Sequence, residues 1–333
     1  MSQRPPAPCR PYWLPLGATA RRPTWAMLPT AVRELIERRL GQPVIGAESQ
    51  GGGFTNGFAS RLVAADGSRA FVKAASPTIA PEIFPSYRQE VLVAAALPCD
   101  VPTPRLLWSA EAGEWLAFAF EDVPGTIPER PWQPEQLAVV LDTLTQAARA
   151  LTPAPPGLAH LKTAADLDED FRYWRCAAAG EGDALRLVPE AWRERVDALA
   201  DREATWARKA AGDTAAHFDM RDDNLLLTPD GRAVVCDWNW MTLAAPWVDL
   251  VSLLVSVHGD GLDAEAALVR HPLSAGVPGD AVDALLVALA GSFIRYAARP
   301  PVPQSPWIRE HLAWWRDATL SWLCLRLRGD AAP

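Results

Sequence analysis

Polar side chains that suit metal binding and proton transfer are concentrated in one short stretch, HFDMRDDN, at His217–Asn224. The stretch holds a histidine, three aspartates, an arginine and an asparagine in eight positions. An apolar run follows at once, and a second apolar run ends at Asp237, with Pro229–Gly231 between the two runs. Because Pro-Asp-Gly is a turn signal, the pattern predicts a loop followed by two short strands.

The oxygen-bearing side chains here are of the type that Mg²⁺ prefers, a few carboxylate or amide oxygens completed by phosphate oxygens and water. Asn224 ends the loop and Asp237 ends the hairpin, so these two can supply the protein ligands. Asp219 then remains free to orient a hydroxyl group and accept its proton. A plain surface loop is the alternative for the whole stretch, and we interpret Asp222 and Asp223 as solvated loop acids.

The segments that precede this region have the sequence pattern of a small antiparallel sheet. Short apolar runs rich in β-branched and aromatic residues are separated by glycine, aspartate and serine, which predicts strands. These runs lie at 44–50, 58–65, 69–76, 105–110 and 114–121. Helical spacing predicts one helix before them, at Leu28–Leu40, and one helix among them, at Pro81–Leu97.

The chain becomes helical after a proline-rich stretch near residue 122. Helices are predicted at 134–151, 164–179, 189–211, 246–258, 263–271, 279–298 and 306–327. The predicted fold class is α+β, with a small antiparallel β-sheet lobe that contains one helix and a large, mainly helical lobe. The predicted units are an N-terminal arm and helix at 1–43, a nucleotide-binding lobe at 44–122, and a helical lobe with the polar loop and a substrate pocket at 123–333. A nucleotide would fit the cleft between the lobes.

Composition argues against several kinds of partner. The formal net charge is -8 and the isoelectric point is about 5.2, whereas nucleic acid or an anionic membrane surface requires clustered Lys and Arg. No run has the length and apolar character of a membrane span. The N-terminus lacks the apolar region of a secretory signal, and the cysteines are scattered, so we expect reduced thiols, no zinc site and a cytoplasmic protein. The five cysteines are Cys9, Cys99, Cys176, Cys236 and Cys324.

The motifs resemble those of the aminoglycoside phosphotransferase family, a group of protein-kinase-like small-molecule phosphotransferases. HFDMRDDN is similar to the family's His-x-Asp-x-x-x-x-Asn catalytic loop, and Asp237 in CDWNW stands where protein kinases place the aspartate of Asp-Phe-Gly. The resemblance covers the chain from about Val44 to the C-terminal helices. It implies a protein-kinase-like two-lobe fold, with Asp219 as the catalytic base and with Asn224 and Asp237 as the Mg²⁺ ligands.

The resemblance also assigns two charged residues of the small lobe. Lys73 in FVKAAS matches the family's strand lysine, which contacts the nucleotide phosphates. Glu90 in YRQEV matches the helical glutamate that pairs with this lysine, and Glu82 is a weaker candidate near the start of the helix. The alternatives are a solvated lysine at a strand edge and an ordinary exposed helical glutamate.

Two backbone segments match the family's nucleotide-binding parts. SQGGGFTNGFASRL lies between predicted strands and is similar to a Gly-rich loop, in which glycines let backbone N–H groups approach phosphates, although a plain hairpin turn is the alternative. FAFEDVPG resembles the hinge, where main-chain groups of Glu121 and Val123 would hold the purine of ATP or GTP. The candidate phosphate contacts of the loop are Gly52, Gly53, Thr55 and Asn56.

Three further residues take roles near the catalytic loop. Asp249 in APWVDLVSLL matches the aspartate that braces this loop, with a routine helix N-terminal acid as the alternative. The resemblance implies that His217 packs under the loop and does not transfer protons. Arg221 follows Asp219 by two residues, where many protein kinases carry a lysine, and it would stabilise the transferred phosphoryl group. Many antibiotic kinases lack a basic residue at this position.

The acceptor pocket of the family is built from helices of the large lobe. TAADLDEDFRYWRC offers Asp166 and Asp170 beside aromatic residues, which suits an amine-bearing ligand, and HLAWWRD offers Trp315. The alternatives are an exposed helix start that is enriched in acids and the core positions of a closing helix.

The leading hypothesis is Mg²⁺-dependent transfer of the γ-phosphate of ATP or GTP to a hydroxyl group of a small molecule. The resemblance favours an antibiotic, an aminoglycoside or another natural product, and a resistance or self-resistance role. One alternative is a metabolic kinase for choline, sugars or amino alcohols. Another is a catalytically silent nucleotide-binding scaffold, which the presence of Asp219, Asn224 and Asp237 disfavours. The acceptor, the purine and the oligomeric state stay open.

Overall fold

A computed structural model describes residues 10–329 of the chain. Cys9, the first part of the predicted N-terminal arm and residues 330–333 lie outside this range. The described residues form a small lobe around a five-stranded antiparallel sheet and a larger lobe made mainly of helices. The predicted α+β class with two lobes is confirmed.

The small lobe contains both predicted helices and all five predicted strands, with ends that differ by a few residues. The strand order in its sheet is β1-β2-β3-β5-β4, and every neighbouring pair is antiparallel. The elements are α1 (Thr30–Leu40), β1 (Val44–Ser49), β2 (Phe58–Ala64), β3 (Arg69–Ala75), α2 (Phe84–Ala96), β4 (Leu106–Ala112) and β5 (Trp115–Glu121).

Each face of this sheet is covered by one helix, because successive side chains of a strand point to opposite faces. On β5, Ala117 and Ala119 join the cluster that contains Ile36 of α1. Phe118 belongs to the other cluster, where it packs against Tyr87 of α2. The central strands are therefore buried on both faces, which explains their nearly continuous apolar sequence.

The large lobe has one hydrophobic core, and α8 and α10 are buried on nearly all sides within it. No helix within residues 10–329 has the length and apolar character needed to cross a membrane. The elements are α3 (Pro134–Ala150), α4 (Tyr173–Ala178), α5 (Ala184–Leu187), α6 (Val196–Glu203), α7 (Trp206–Lys209), β6 (Thr214–Ala216), β7 (Leu225–Leu227), β8 (Ala233–Val235), β9 (Thr242–Ala244), α8 (Trp247–Gly259), α9 (Ala264–Arg270), α10 (Gly279–Ala297) and α11 (Ile308–Gly329).

The predicted helix at 164–179 is wrong in its extent. The structure has a short 3-10 helix at Ala164–Leu167, a turn, and then α4. Asp168 and Arg175 would be two turns apart in a continuous helix, whereas the break brings their charged groups to 2.8 Å. The ion pair between Asp168 and Arg175 is thus compatible with the interrupted helix and not with a continuous one.

The predicted helix at 189–211 is also interrupted, since a 3-10 helix at Glu190–Arg195 precedes α6 and α7. The predicted hairpin is confirmed, because β7 and β8 pair antiparallel across Pro229–Gly231. Strands β6 and β9, which also pair antiparallel, were absent from the sequence prediction. Each has three residues, which is too short for an alternating pattern to be recognised.

Candidate active site

The loop that connects β6 to β7 is fixed by a carboxylate from α8. The two oxygens of Asp249 accept hydrogen bonds from the backbone N–H groups of His217 and Phe218, both at 2.8 Å. Phe218 has a φ of 63°, in the left-handed region that a bulky side chain rarely adopts. Asp249 therefore stabilises a strained turn that determines where the next residue, Asp219, points.

The imidazole of His217 lies under the same loop and is fully buried, with 0% of its surface exposed. Its Nε2 lies 2.8 Å from the carbonyl oxygen of Cys236, and a carbonyl can only accept, so Nε2 carries the proton. Nδ1 then accepts from the backbone N–H of Asp219 at 3.3 Å. The imidazole joins the loop to the end of β8, beside Asp237.

The side chain of Asp219 contacts the side chains of Arg221 and Asn224. The amide nitrogen of Asn224 donates to the backbone oxygen of Asp219 at 2.8 Å and to its Oδ2 at 3.2 Å. Arg221 Nη1 contacts Asp219 Oδ1. Burial raises the pKa of Asp219, and the guanidinium of Arg221 only partly offsets this effect.

The interpretation of Asp222 and Asp223 as solvated loop acids is wrong, because their side chains are 1% and 2% exposed. Asp222 forms an ion pair with Arg130 at 2.9 Å, and Asp223 forms one with Nε of Arg221, also at 2.9 Å. A buried carboxylate needs such a partner. Arg130 lies 92 residues before Asp222, so a local sequence pattern gives no sign of this pair.

An ion-paired cluster at the back of the cleft connects the two lobes. Nζ of Lys73 on β3 lies 2.7 Å from Oε1 of Glu90 on α2 and 2.8 Å from Oδ1 of Asp237. Burial lowers the pKa of Lys73, but the two carboxylates outweigh this effect and raise it. Lys73 is therefore a fixed positive charge in the cleft. Asp237 has a φ of 65°, a second left-handed residue at the site.

A cavity of about 470 Å³ opens between the lobes beside this cluster. Its walls include residues of the Gly-rich loop, the hinge and the catalytic loop. The predicted site residues among them are Gly52, Gly53, Lys73, Glu90, Glu121, Val123, Asn224 and Asp237. Thr55 and Asn56 are not part of the lining, and Thr55 Oγ1 accepts a hydrogen bond from Arg22 at 3.0 Å. Their phosphate contacts stay predictions.

The donor set suits a divalent cation. The amide nitrogen of Asn224 donates both of its hydrogen bonds to Asp219, so the amide oxygen is the group that is available to a ligand. Burial raises the pKa of Asp237, but the Lys73 ammonium and the other nearby positive groups together outweigh burial and lower the pKa below its ordinary value, so the carboxylate is ionised at neutral pH. An amide oxygen and a carboxylate that line one cavity match the protein share of an Mg²⁺ site.

Two arginines of the small-lobe sheet hold the hinge, Arg61 on β2 and Arg69 on β3, and Nε of Arg69 donates to Oδ2 of Asp122 at 2.7 Å. Nη2 of Arg61 donates to the carbonyl oxygen of Val123 at 3.2 Å, and its Nε lies 3.3 Å from the buried carboxylate of Asp122. The N–H of Val123 donates to the carbonyl oxygen of Glu121 at 3.1 Å. These contacts fix the main chain along one wall of the cavity.

Residues 16–22, which precede α1, form a strap over the Gly-rich loop. The sequence analysis did not predict this strap. The hydroxyl of Thr19 donates to the carbonyl oxygen of Gly53, and the N–H of Ala20 donates to that of Gly51 at 2.9 Å. A Cβ atom on Gly51 would lie 2.7 Å from the carbonyl oxygen of Gly17. Glycine at position 51 therefore serves the packing of this strap, and only a proline-rich irregular segment was visible in the sequence.

None of the three predicted acceptor residues lines the interlobe cavity. Asp166 is the third residue of the 3-10 helix at Ala164–Leu167 and completes its capping box, since its Oδ2 accepts from the N–H of Thr163 at 2.8 Å. Asp170 lies on the exposed surface. Trp315 is 1% exposed and packs against Phe293 inside the helical core, which favours the alternative of a core position over a ligand contact.

Comparisons of this sequence and this fold with known proteins point to one family. The model of the phosphotransferase enzyme family matches residues 51–283, which is more than half of the chain. No curated protein matches the chain in sequence. One similar structure is an aminoglycoside phosphotransferase in a ternary complex with ADP and hygromycin B, with a TM-score of 0.58, 15% identity, and coverage of 91% of this chain and 100% of that one.

Two further structures extend the likeness. Choline kinase LicA from Streptococcus pneumoniae has a TM-score of 0.60 and 12% identity, with coverage of 88% of this chain and 98% of that chain. An aminoglycoside phosphotransferase from Streptomyces rimosus, in complex with ADP and streptomycin, has a TM-score of 0.52 and 18% identity, with coverage of 80% and 99%. At these identities the likeness shows the fold, and the predicted kinase-like architecture is confirmed.

Proposed function

Since the chain belongs to the phosphotransferase enzyme family, we propose that it transfers the γ-phosphate of ATP or GTP to a hydroxyl group of a small molecule. The observation that carries this proposal is the arrangement around one interlobe cavity. Lys73, paired with Glu90, lines the cavity together with Asn224 and Asp237, and Asn224 is bonded to Asp219. A lysine, two oxygen ligands and a partly buried carboxylate are the groups that phosphoryl transfer requires.

In the proposed reaction the protein positions the reactants and balances charge. Lys73, oriented by Glu90, binds the α- and β-phosphates, and the hinge at Glu121 and Val123 holds the purine. Asp219 orients the acceptor hydroxyl group and accepts its proton. Arg221, which contacts Asp219, stabilises the negative charge of the transferred group.

Asn224 and Asp237 would hold Mg²⁺, which supplies positive charge to the phosphate oxygens when it is bound. His217 and Asp249 position the loop and do not exchange protons with the reactants. This assignment is supported by the buried imidazole of His217, which donates to Cys236, and by the two N–H groups that Asp249 holds.

We propose an antibiotic, an aminoglycoside or another hydroxylated natural product, as the acceptor and a resistance or self-resistance role for the enzyme. The exposed Asp170 is the remaining predicted contact for a cationic group. The cytoplasm, where nucleoside triphosphates are available and thiols stay reduced, is the proposed compartment. A choline, sugar or amino-alcohol acceptor is the competing assignment, and it requires the same catalytic residues.

The test is a nucleotide-consumption screen of the full chain with Mg²⁺, using ATP and GTP separately. The acceptors are aminoglycosides, nucleoside and peptide antibiotics, macrolides, amino alcohols and sugars, and products are identified by a mass increase of one phosphate. The proposal expects acceptor-dependent turnover with one of these groups. Nucleotide binding without turnover on any acceptor would contradict the proposal and favour the silent scaffold.

A further inference from the structure

We propose that Arg22, from the strap that precedes α1, is a further nucleotide-binding residue that contacts the phosphates beside Lys73. The inference rests on the proposed function, because it assumes that a nucleotide occupies the interlobe cavity. Arg22 lies before residues 51–283, the segment that matches the family model. It reaches the cavity from the N-terminal arm.

The position of Arg22 is the first observation. Together with Leu16 and Gly17 it lines the same cavity as Lys73 and Asp237. A phosphate chain in this cavity would lie within the field of two cations from different elements of the small lobe.

The hydrogen bonds of Arg22 are the second observation. A guanidinium has five N–H donors. Three go to the Gly-rich loop: Nη1 donates to Thr55 Oγ1 at 3.0 Å and to the carbonyl oxygen of Gly57 at 3.1 Å, and Nη2 donates to that of Gly52 at 2.8 Å. Nε is shielded from solvent and has no hydrogen-bond partner among the described residues.

Since Nε is shielded from solvent, the donor that remains for a ligand is the second N–H group of Nη2. A hydrogen bond from a guanidinium to a phosphate oxygen is charge-assisted and stronger than a neutral hydrogen bond. The geometry thus favours an anionic ligand over an uncharged one.

The strap holds Arg22 in place from both lobes. On the small-lobe side, Thr19 and Ala20 bond to the Gly-rich loop. On the large-lobe side, the N–H of Arg21 donates to the carbonyl oxygen of Gln304 at 2.7 Å. The next residue of the large lobe, Ser305, contacts the Gly-rich loop itself through the carbonyl oxygen of Phe54. A guanidinium anchored in this way loses little freedom when it binds phosphate, which increases its contribution to affinity.

The experiment compares Arg22→Met and Arg22→Lys with two control variants of the full chain. Arg21→Met removes the same charge from the exposed neighbouring side chain, and Thr19→Val removes another contact between the strap and the loop without changing charge. Dissociation constants for ATP with Mg²⁺ are measured by isothermal titration calorimetry. Dissociation constants for adenosine are measured by ligand-observed NMR. If GTP is the preferred substrate, GTP replaces ATP and guanosine replaces adenosine.

We expect Arg22→Met to weaken ATP binding at least tenfold and to leave adenosine binding within twofold of the wild type, which also shows that the variant is folded. Arg22→Lys should recover most of the lost ATP affinity, and Arg21→Met should bind as the wild type does. Equal losses for ATP and adenosine, unchanged ATP binding, or no recovery with lysine would each overturn the inference and leave Arg22 as a brace of the loop. A wild-type chain that binds neither triphosphate would instead refute the proposed function.

Discussion

Nζ of Lys73 lies 2.8 Å from Oδ1 of Asp237, so an ion pair joins the central sheet of the small lobe to the hairpin of the large lobe. The same ammonium lies 2.7 Å from Oε1 of Glu90. One buried lysine therefore balances two carboxylates at the back of the cleft. A bound metal would compete with Lys73 for Asp237, and the nucleotide phosphates would then become the second partner of the ammonium.

Replacement of Lys73 should lower both stability and activity. Lys73→Met leaves Glu90 buried without its charge partner, and breaking a buried pair in this way costs about 3–5 kcal/mol. The double variant Lys73→Met/Glu90→Gln should regain part of that free energy of unfolding, because the uncompensated charge is gone, but should not regain turnover. Urea denaturation and steady-state kinetics measure the two effects. A single variant with wild-type turnover would exclude Lys73 from nucleotide binding.

Replacement of Asp249 should uncouple the catalytic loop from α8. In Asp249→Asn only one oxygen remains to accept from the N–H groups of His217 and Phe218, and the orphaned donor costs about 1–3 kcal/mol. Turnover should fall at least tenfold, because the strained φ of Phe218 loses its support. The matched control is Asp263→Ala, which removes a helix cap on α9 for about 1 kcal/mol and should keep wild-type turnover. Similar turnover in the two variants would show that Asp249 is an ordinary structural acid.

The acid limb of the pH–rate profile should report Asp219. Burial raises its pKa above the ordinary value of about 3.9, and Arg221 lowers it in part. Because Asp219 accepts a proton only when ionised, kcat/KM should rise as pH rises through this pKa. Arg221→Met removes the lowering charge, so the limb should move to higher pH, whereas Arg232→Met in the exposed hairpin turn should leave it in place. An acid limb that is unchanged or that moves to lower pH in Arg221→Met would argue against Asp219 as the base.

A methyl group at position 51 should displace the strap from the Gly-rich loop. Gly51→Ala puts a Cβ atom 2.7 Å from the carbonyl oxygen of Gly17, which is too close without a backbone shift, and overpacking of this kind costs about 1–3 kcal/mol. Gly46→Ala is the control, since its Cβ would meet Val63 at an ordinary 3.5 Å. Hydrogen exchange should become faster at residues 16–22 in Gly51→Ala only. Equal exchange in both variants would mean that the strap does not depend on the glycine.

The parts of this structure that the sequence predicts are those with a local signal. The hairpin at β7 and β8 follows from a Pro-Asp-Gly turn between apolar runs, and the sheet follows from short punctuated strands. The catalytic loop is recognisable because one motif contains both Asp219 and Asn224. In each case the residues that determine the feature are close together in the chain.

The parts that escaped prediction depend on contacts between distant residues. Asp222 is buried because Arg130, 92 positions earlier, pairs with it, and Trp315 is a core residue because the other helices cover it. Arg22 lies in an irregular arm whose position depends on hydrogen bonds from Thr19 and Ala20 to the Gly-rich loop. Neither the hydrophobic periodicity nor a short motif predicts such contacts, because tertiary packing determines them.

The most direct test of the central claim is a comparison of Asp219→Asn and Asp237→Asn with the wild type. Binding of ATP with Mg²⁺ and acceptor-dependent turnover are measured on the same samples. If Asp219 is the base and Asp237 a metal ligand, Asp219→Asn binds the nucleotide within about threefold of the wild type and loses at least about 100-fold in turnover, in the range of general-base catalysis. Asp237→Asn should lose Mg²⁺-dependent nucleotide binding as well. Wild-type turnover in Asp219→Asn would contradict the account.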